Sequence, residues 1–259
     1  MSKGHKTVVL GDTHGRSFWK LITHRENPDR VIFIGDYFDS FDIPGVEQIH
    51  NFKEIIEYKE TSFTNDGTDN QKKTDVILLI GNHDYHYMPG ISEEYSGYQS
   101  TLAPTIQFEL EYNKQHLQMA YQMGEFLFTH AGVSSEFMDS VFGKGGWQTE
   151  NIAELLNEQF KYKPQTFGFG LAVDITKTFY LDPYGDNREQ SPIWIRPRSL
   201  MAANRETLRK QVIQVVGHTG VTTIEGQEKM SGGRYYLIDC LDAGQYLIIE
   251  DGKISVGKL

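Results

Sequence analysis

Val76-Ile77-Leu78-Leu79-Ile80-Gly81-Asn82-His83-Asp84 places five consecutive aliphatic residues directly before a glycine and three side chains that can bind metal or carry protons. A short branched run closed by glycine reads as a strand buried on both faces. Three other stretches share this plan, 7–10 before Gly11-Asp12, 31–34 before Gly35-Asp36 and 212–216 before Gly217-His218, and 125–128 before Thr129-His130 follows it without the glycine. Segments of helical period lie between some of them. One carries Val46, Ile49, Phe52 and Ile56 on one face with Glu and Lys on the other, and a second spans 104–123. Strands alternating with helices predict an α/β architecture.

The 259 residues are 39% hydrophobic and 23% charged, with 14 Tyr and 15 Phe, enough apolar material for one large core. We expect a single domain over 1–259. Lys and Arg total 25 against 35 Asp and Glu, a formal charge of −10, which argues against sequence-specific nucleic-acid binding and against an anionic membrane surface. The single cysteine, Cys240, excludes an intrachain disulfide and a cysteine-built zinc site, and predicts a cytoplasmic protein. No apolar run approaches the roughly 18 residues of a membrane-spanning helix.

The stretch 60–74 lacks apolar periodicity and is expected as a flexible surface loop. Residues 85–124 and 134–190 are longer insertions, expected to cap a cleft and to carry specificity. Near the end, 235–239, 245–250 and 253–256 are expected as consecutive antiparallel strands joined by turns at 242–244 and 251–252.

Each of the five strand ends carries a ligand-type side chain: Asp12 and His14, Asp36, Asn82, His130 and His218. Loops at the carboxyl ends of strands in an α/β sheet converge on one crevice, so these six side chains are candidates for one site. Carboxylate, amide and imidazole donors without thiolate suit Mn²⁺, Fe or Zn²⁺ in a catalytic setting. Two ions about 3.5–4 Å apart need a bridging group, and Asp36 in its Gly-Asp turn is placed for that role. Singly, each motif has an ordinary explanation as a helix cap, an acidic turn or a core histidine. Five in one chain, each at a strand end, require every ordinary explanation to hold at once.

Asp12-Thr13-His14-Gly15, Gly35-Asp36-x-x-Asp39, Gly81-Asn82-His83-Asp84, His130-Ala131-Gly132 and Gly217-His218-Thr219 resemble the ordered motifs of the calcineurin-like metallophosphoesterases. The resemblance runs over 12–219. Asp-x-His-Gly, His-Ala-Gly and Pro192-Ile193-Trp194-Ile195-Arg196 are similar to the phosphoprotein phosphatase branch, including its bacterial and phage-type members and the symmetrical diadenosine tetraphosphate hydrolases. This implies a four-layer αββα sandwich of two mixed sheets, with a dinuclear metal site between them. Asp12, His14 and His218 would hold one ion, Asn82 and His130 the other, and Asp36 would bridge. His83 would protonate the leaving group or hydrogen-bond phosphate, Asp39 would orient its ring, and Arg196 would contact phosphate.

The resemblance further implies hydrolysis of phosphomonoesters by a bridging hydroxide, with two Mn²⁺ ions as the first expectation and Fe, Zn or Mg as alternatives. A serine/threonine phosphatase acting on a phosphorylated protein or a small phosphoester is the leading reading. A dinucleoside polyphosphate hydrolase or a phosphodiesterase is the alternative, and a non-catalytic binding scaffold the distant one. One departure stands out: the branch continues Asp39 with Arg-Gly, whereas this chain has Ser40-Phe41. Arg16, Arg196 or Arg198 is the expected replacement for that positive charge. Tyr85, His86 and Tyr87 are expected either to line the cleft or to pack their loop, and Trp147 and Trp194 to pack.

Overall fold

The computed structural model describes residues 5–65, 71–170, 187–203, 206–227 and 234–259. Its strands are β1 (Lys6–Leu10), β2 (Arg30–Phe33), β3 (Phe63–Asn65), β4 (Gln71–Lys73), β5 (Asp75–Leu79), β6 (Leu117–Gln118), β7 (Ala120–Met123), β8 (Phe126–Thr129), β9 (Ile213–Val216), β10 (Tyr235–Leu237), β11 (Gln245–Glu250) and β12 (Lys253–Lys258). Its helices are α1 (Phe18–Glu26), α2 (Gly45–Thr61), α3 (Asn82–Tyr85), α4 (Ala103–Tyr112), α5 (Ser135–Phe142), α6 (Ile152–Tyr162), α7 (Pro197–Ala203) and α8 (Glu206–Gln211).

Two mixed sheets carry the site. The first has strand order β12-β11-β1-β2-β5-β6, the second β10-β9-β8-β7. In the first, β1, β2, β5 and β6 run parallel, and β11 pairs antiparallel with both β1 and β12. Side chains alternate across each strand, and burial on both faces explains why Val8, Val9 and Leu10 of β1 and Val31, Ile32 and Phe33 of β2 are all apolar. Val8, Leu10, Val31 and Phe33 share one cluster with Trp19 and Ile22 of α1 and Ile49 and Phe52 of α2. Val9, Ile32 and Leu79 join Phe126, Phe128 and Val215 of the second sheet in another. On the far side, Leu127 shares a cluster with Phe137 of α5 and with Ile152 and Leu156 of α6. The result is the expected αββα layering.

Several local expectations are corrected. The buried face of α2 runs through Gln48, Ile49, Asn51, Phe52, Ile55 and Ile56; Val46, in its first turn, is 68% exposed, and Ile55 is buried in its stead. The helix expected over 104–123 ends at Tyr112, and a 3₁₀ turn at Lys114–His116 leads into β6 and β7. There, pairing of 120–123 with β8 overrides the helical period. Within 60–74, Glu60 and Thr61 close α2, and β3 and β4 pair as a hairpin; residues 66–70 lie outside the described set. The closing meander is only partly formed. Tyr235–Leu237 leaves it to lie parallel to β9 in the second sheet. Only β11 and β12 form the expected hairpin, turned by Asp251 and Gly252 at φ 51° and 74°.

Candidate metal centre

The loops after β1 and β2 bring Asp12, His14 and Asp36 together, with one ligand atom of each within 4.8 Å of the others. The loops after β5, β8 and β9 form a second group around Asn82, whose Oδ1 lies 2.9 Å from His130 Nε2 and 2.8 Å from His218 Nδ1. Asp36 Oδ2 faces both groups, 3.8 Å from His14 Nε2 and 3.3 Å from His130 Nε2. All six expected side chains therefore meet. Their division differs from the one the resemblance implies: the His218 imidazole stands with Asn82 and His130. What His218 gives to Asp12 is its main-chain N–H, 3.0 Å from Asp12 Oδ2.

The three imidazoles are wired alike. His14 Nδ1 meets the carbonyl of Phe38 at 2.6 Å, His130 Nδ1 that of Ile34 at 3.0 Å, and His218 Nε2 that of Trp194 at 3.1 Å. A carbonyl only accepts, so those nitrogens carry a proton, and in the neutral ring the other nitrogen presents a lone pair. His130 and His218 then aim their lone pairs at the Asn82 amide oxygen, itself an acceptor. Three acceptors crowded in a buried space are resolved by a cation, and a histidine fixed by a carbonyl behind it is the usual support of a metal ligand. The residues fit divalent ions.

Burial and charge shift the acids of this group in different directions. Burial pushes the Asp12 carboxyl well up, helped by the neighbouring Asp239 and Asp36. Burial would raise Asp36 too, but the adjacent His130, His83 and His14 hold it well below the usual carboxylate range. Burial, then His130 and Arg196, keep His218 neutral, as a ligand must be. The backbone is strained in the same place: His14, Asp36, Asp39 and His218 all have positive φ, at 42°, 53°, 64° and 64°.

His83 projects from the first turn of α3, its Nδ1 3.0 Å from Asp39 Oδ2. Asp39 is buried and over-determined. Its Oδ1 accepts from the Tyr87 hydroxyl at 2.6 Å and from Gln99 Nε2 at 3.3 Å. His86 Nε2 lies 2.7 Å from Oδ2, and His86 Nδ1 accepts from the main-chain N–H of Tyr95 at 3.2 Å. Asp39, His83 and His86 also bring ligand atoms within 4.8 Å of one another. Burial would raise Asp39, yet its bonds from His83, His86 and Tyr87 bring it to about 2. Burial would lower His83, but the Asp36 charge and the Asp39 bond raise it to about 8. His86 and Tyr87 thus stand behind Asp39, and the Tyr85 hydroxyl donates to the Pro164 carbonyl at 2.9 Å.

The sequence profile of the calcineurin-like phosphoesterases matches residues 5–239. The chain belongs to the calcineurin-like phosphoesterases. It is a metal-dependent hydrolase of phosphoester bonds. Solved structures similar to this phosphoesterase include a metallophosphoesterase from Sphaerobacter thermophilus, 12% identical, with TM-score 0.44 over 99% of this chain and 88% of that one. Another is a Thermotoga maritima protein solved by NMR, 12% identical, with TM-score 0.34 over 98% of this chain and 99% of that one. No curated protein matches the chain.

Of the three arginines considered for this phosphoesterase, Arg196 alone lines the metal-site cavity. Its Nη1 donates to the His218 carbonyl at 3.0 Å and lies 3.2 Å from Thr219 Oγ1. Arg16 turns outward to pair with Asp42 and Asp242, and does not line that cavity. Sequence reasoning missed four residues. Asp239, directly after β10, lines the cavity; reading its strand as part of a meander concealed that it too stands near a strand end. Asp84 closes the quoted motif and ties two loops together. Tyr95 and Phe169 reach the cavity from the two insertions, without a local motif to mark them.

Proposed function

We propose that this phosphoesterase hydrolyses phosphomonoesters with the apparatus of the phosphoprotein phosphatase branch, phosphorylated serine or threonine being the first substrate and manganese the first metal. The observation that supports the reading is His83, held by Asp39, on the wall of a cavity of about 310 Å³ that Asp12, His14, Asp36, Asn82 and His218 also line. Divalent ions bound there lower the pKa of water and draw charge from phosphate oxygens. Asp39 accepts the proton on His83 Nδ1, which fixes the ring and leaves Nε2 as the donor. At its raised pKa His83 is protonated at neutral pH, so it can deliver a proton to the departing alkoxide, an effect worth about 10²–10⁴-fold. Arg196, braced by the His218 carbonyl and Thr219, supplies a fixed guanidinium for phosphate oxygens. No nucleophilic side chain takes part.

The test is a substrate panel on metal-stripped enzyme reloaded with Mn²⁺, Fe²⁺, Zn²⁺ or Mg²⁺. Phosphomonoesters, including a phosphoserine peptide, should be turned over faster than bis-p-nitrophenyl phosphate and diadenosine tetraphosphate. Tenfold preference for either diester or dinucleotide would overturn the reading. Metal analysis of Asp36→Asn runs beside it: full occupancy by two ions would remove Asp36 from the bridging role.

A further inference from the structure

We propose that Tyr95, Phe169 and Trp194 form a ring-stacking subsite, so that among small phosphomonoesters those whose organic group carries a flat aromatic ring are preferred. The inference rests on reading the cavity as a phosphomonoesterase site and names the substrate class for it. The three rings line one side of the same cavity as the metal-ligand residues. Trp194 begins the wall, 5.7 Å from the His218 ring, and meets Tyr95 at 4.4 Å and Phe169 at 4.9 Å, centroid to centroid. The wall therefore starts beside a metal-ligand residue and extends away from it, where the group esterified to phosphate must lie.

Three features distinguish this wall from ordinary packing. Tyr95 is stacked on one face by His86, 10° from parallel at 5.3 Å, and His86 is itself held against Asp39. That arrangement makes Tyr95 a platform backed by a fixed ring. Tyr95 and Phe169 stay half-buried and border the cavity, while Trp194 is buried with its indole Nε1 lacking a partner among the described residues. Charge favours a neutral ring as well. Arg196 is the only Lys or Arg among the described lining residues, beside Asp12, Asp36 and Asp239, so a second anionic group next to the phosphate would face carboxylates. Stacking a base or an aryl ring on aromatic side chains is worth about tenfold or more in binding.

Adenosine 5′-monophosphate and ribose 5-phosphate break the same ester bond and differ only in the base; benzyl and ethyl phosphate make the corresponding aryl pair. The wild-type enzyme should favour the ring-bearing member of at least one pair by about tenfold in kcat/KM. Tyr95→Leu and Phe169→Leu should each collapse that ratio toward one, and Tyr95→Phe should keep it. A nucleotide-only preference identifies a nucleobase, and a preference in both pairs identifies any flat ring. Ratios near one in wild type, or ratios that survive both leucine variants in folded protein, overturn the proposal. If none of the four esters is hydrolysed, the phosphomonoesterase reading fails separately. Calorimetric binding of adenosine to wild type, lost in Tyr95→Leu and kept in Tyr95→Phe, then still tests the stacking wall.

Discussion

The Asp84 carboxylate accepts the main-chain N–H of Asp36 at 2.8 Å, across 48 positions of sequence. The same carboxylate takes the N–H of Tyr37 at 2.7 Å and of Gly81 at 2.9 Å. One buried side chain thus fastens the loop after β2, which carries Asp36, to the loop after β5, which carries Asn82 and His83. Asp84→Ala would leave three buried donors unsatisfied, each costing about 1–3 kcal/mol. We expect a loss of roughly 3–5 kcal/mol in urea unfolding, with weakened metal binding in the protein that still folds. A variant as stable as wild type, binding metal normally, would contradict this.

Glycine at position 217 makes room for the Asp12 carboxylate. A Cβ there would lie 1.9 Å from Asp12 Oδ1, closer than any real contact, and at Gly81 it would lie 2.1 Å from Asp36 Oδ1. Gly217→Ala should therefore displace Asp12, lowering metal affinity by tenfold or more while costing only about 1–3 kcal/mol of stability. Metal titration by calorimetry, with unfolding measured on the same samples, separates the two effects. Unchanged affinity would mean that Asp12 does not ligate.

His83→Asn keeps the polar volume and removes the proton donor. Turnover of phosphoserine should fall by about 10²–10⁴, whereas p-nitrophenyl phosphate, whose leaving group hardly needs a proton, should lose much less. Metal content should not change. Equal losses on both substrates would make His83 a phosphate-binding group instead of an acid.

Away from the site, Glu26 sits among Lys6 Nζ at 3.0 Å, the Tyr246 hydroxyl at 2.6 Å and Arg25 Nε at 3.2 Å. Burial would raise its pKa, but the Tyr246 bond and then Lys6 bring it below the usual 4.5. A depressed carboxyl stabilises the fold above its unfolded pKa and loses that contribution as pH falls through the folded value. Glu26→Gln should accordingly be less stable than wild type at pH 7, with the difference closing below about pH 4. Paired urea titrations at both pH values check it; a gap that widens in acid has the wrong sign.

The site was more legible in the sequence than the elements around it. Asp12, His14, Asp36, Asn82, His130 and His218 each follow a buried strand closely, so local pattern located them, and the shared crevice at the strand ends did the rest. Residues whose roles depend on distant pairing were not visible. Tyr235–Leu237 alternates like a meander strand, and only its partner β9 reveals that Asp239 belongs at the cavity. The turn of 104–123 from helix to strands is imposed by β8, far outside any helical window. Arg16 follows directly on the Asp-Thr-His-Gly motif, yet two surface acids, Asp42 and Asp242, draw its side chain away.

The left-handed backbone at His14, Asp36, Asp39 and His218 carries a lesson for anyone wishing to harden this enzyme against heat. Glycine would relieve the backbone alone by about 1 kcal/mol at each position, but every such exchange would delete a proposed metal donor or the group proposed to aim the acid, with its buried bonds. Selection for thermal endurance and selection for turnover therefore pull in opposite directions at these four residues, and durability has to be sought in the helices and outer strands.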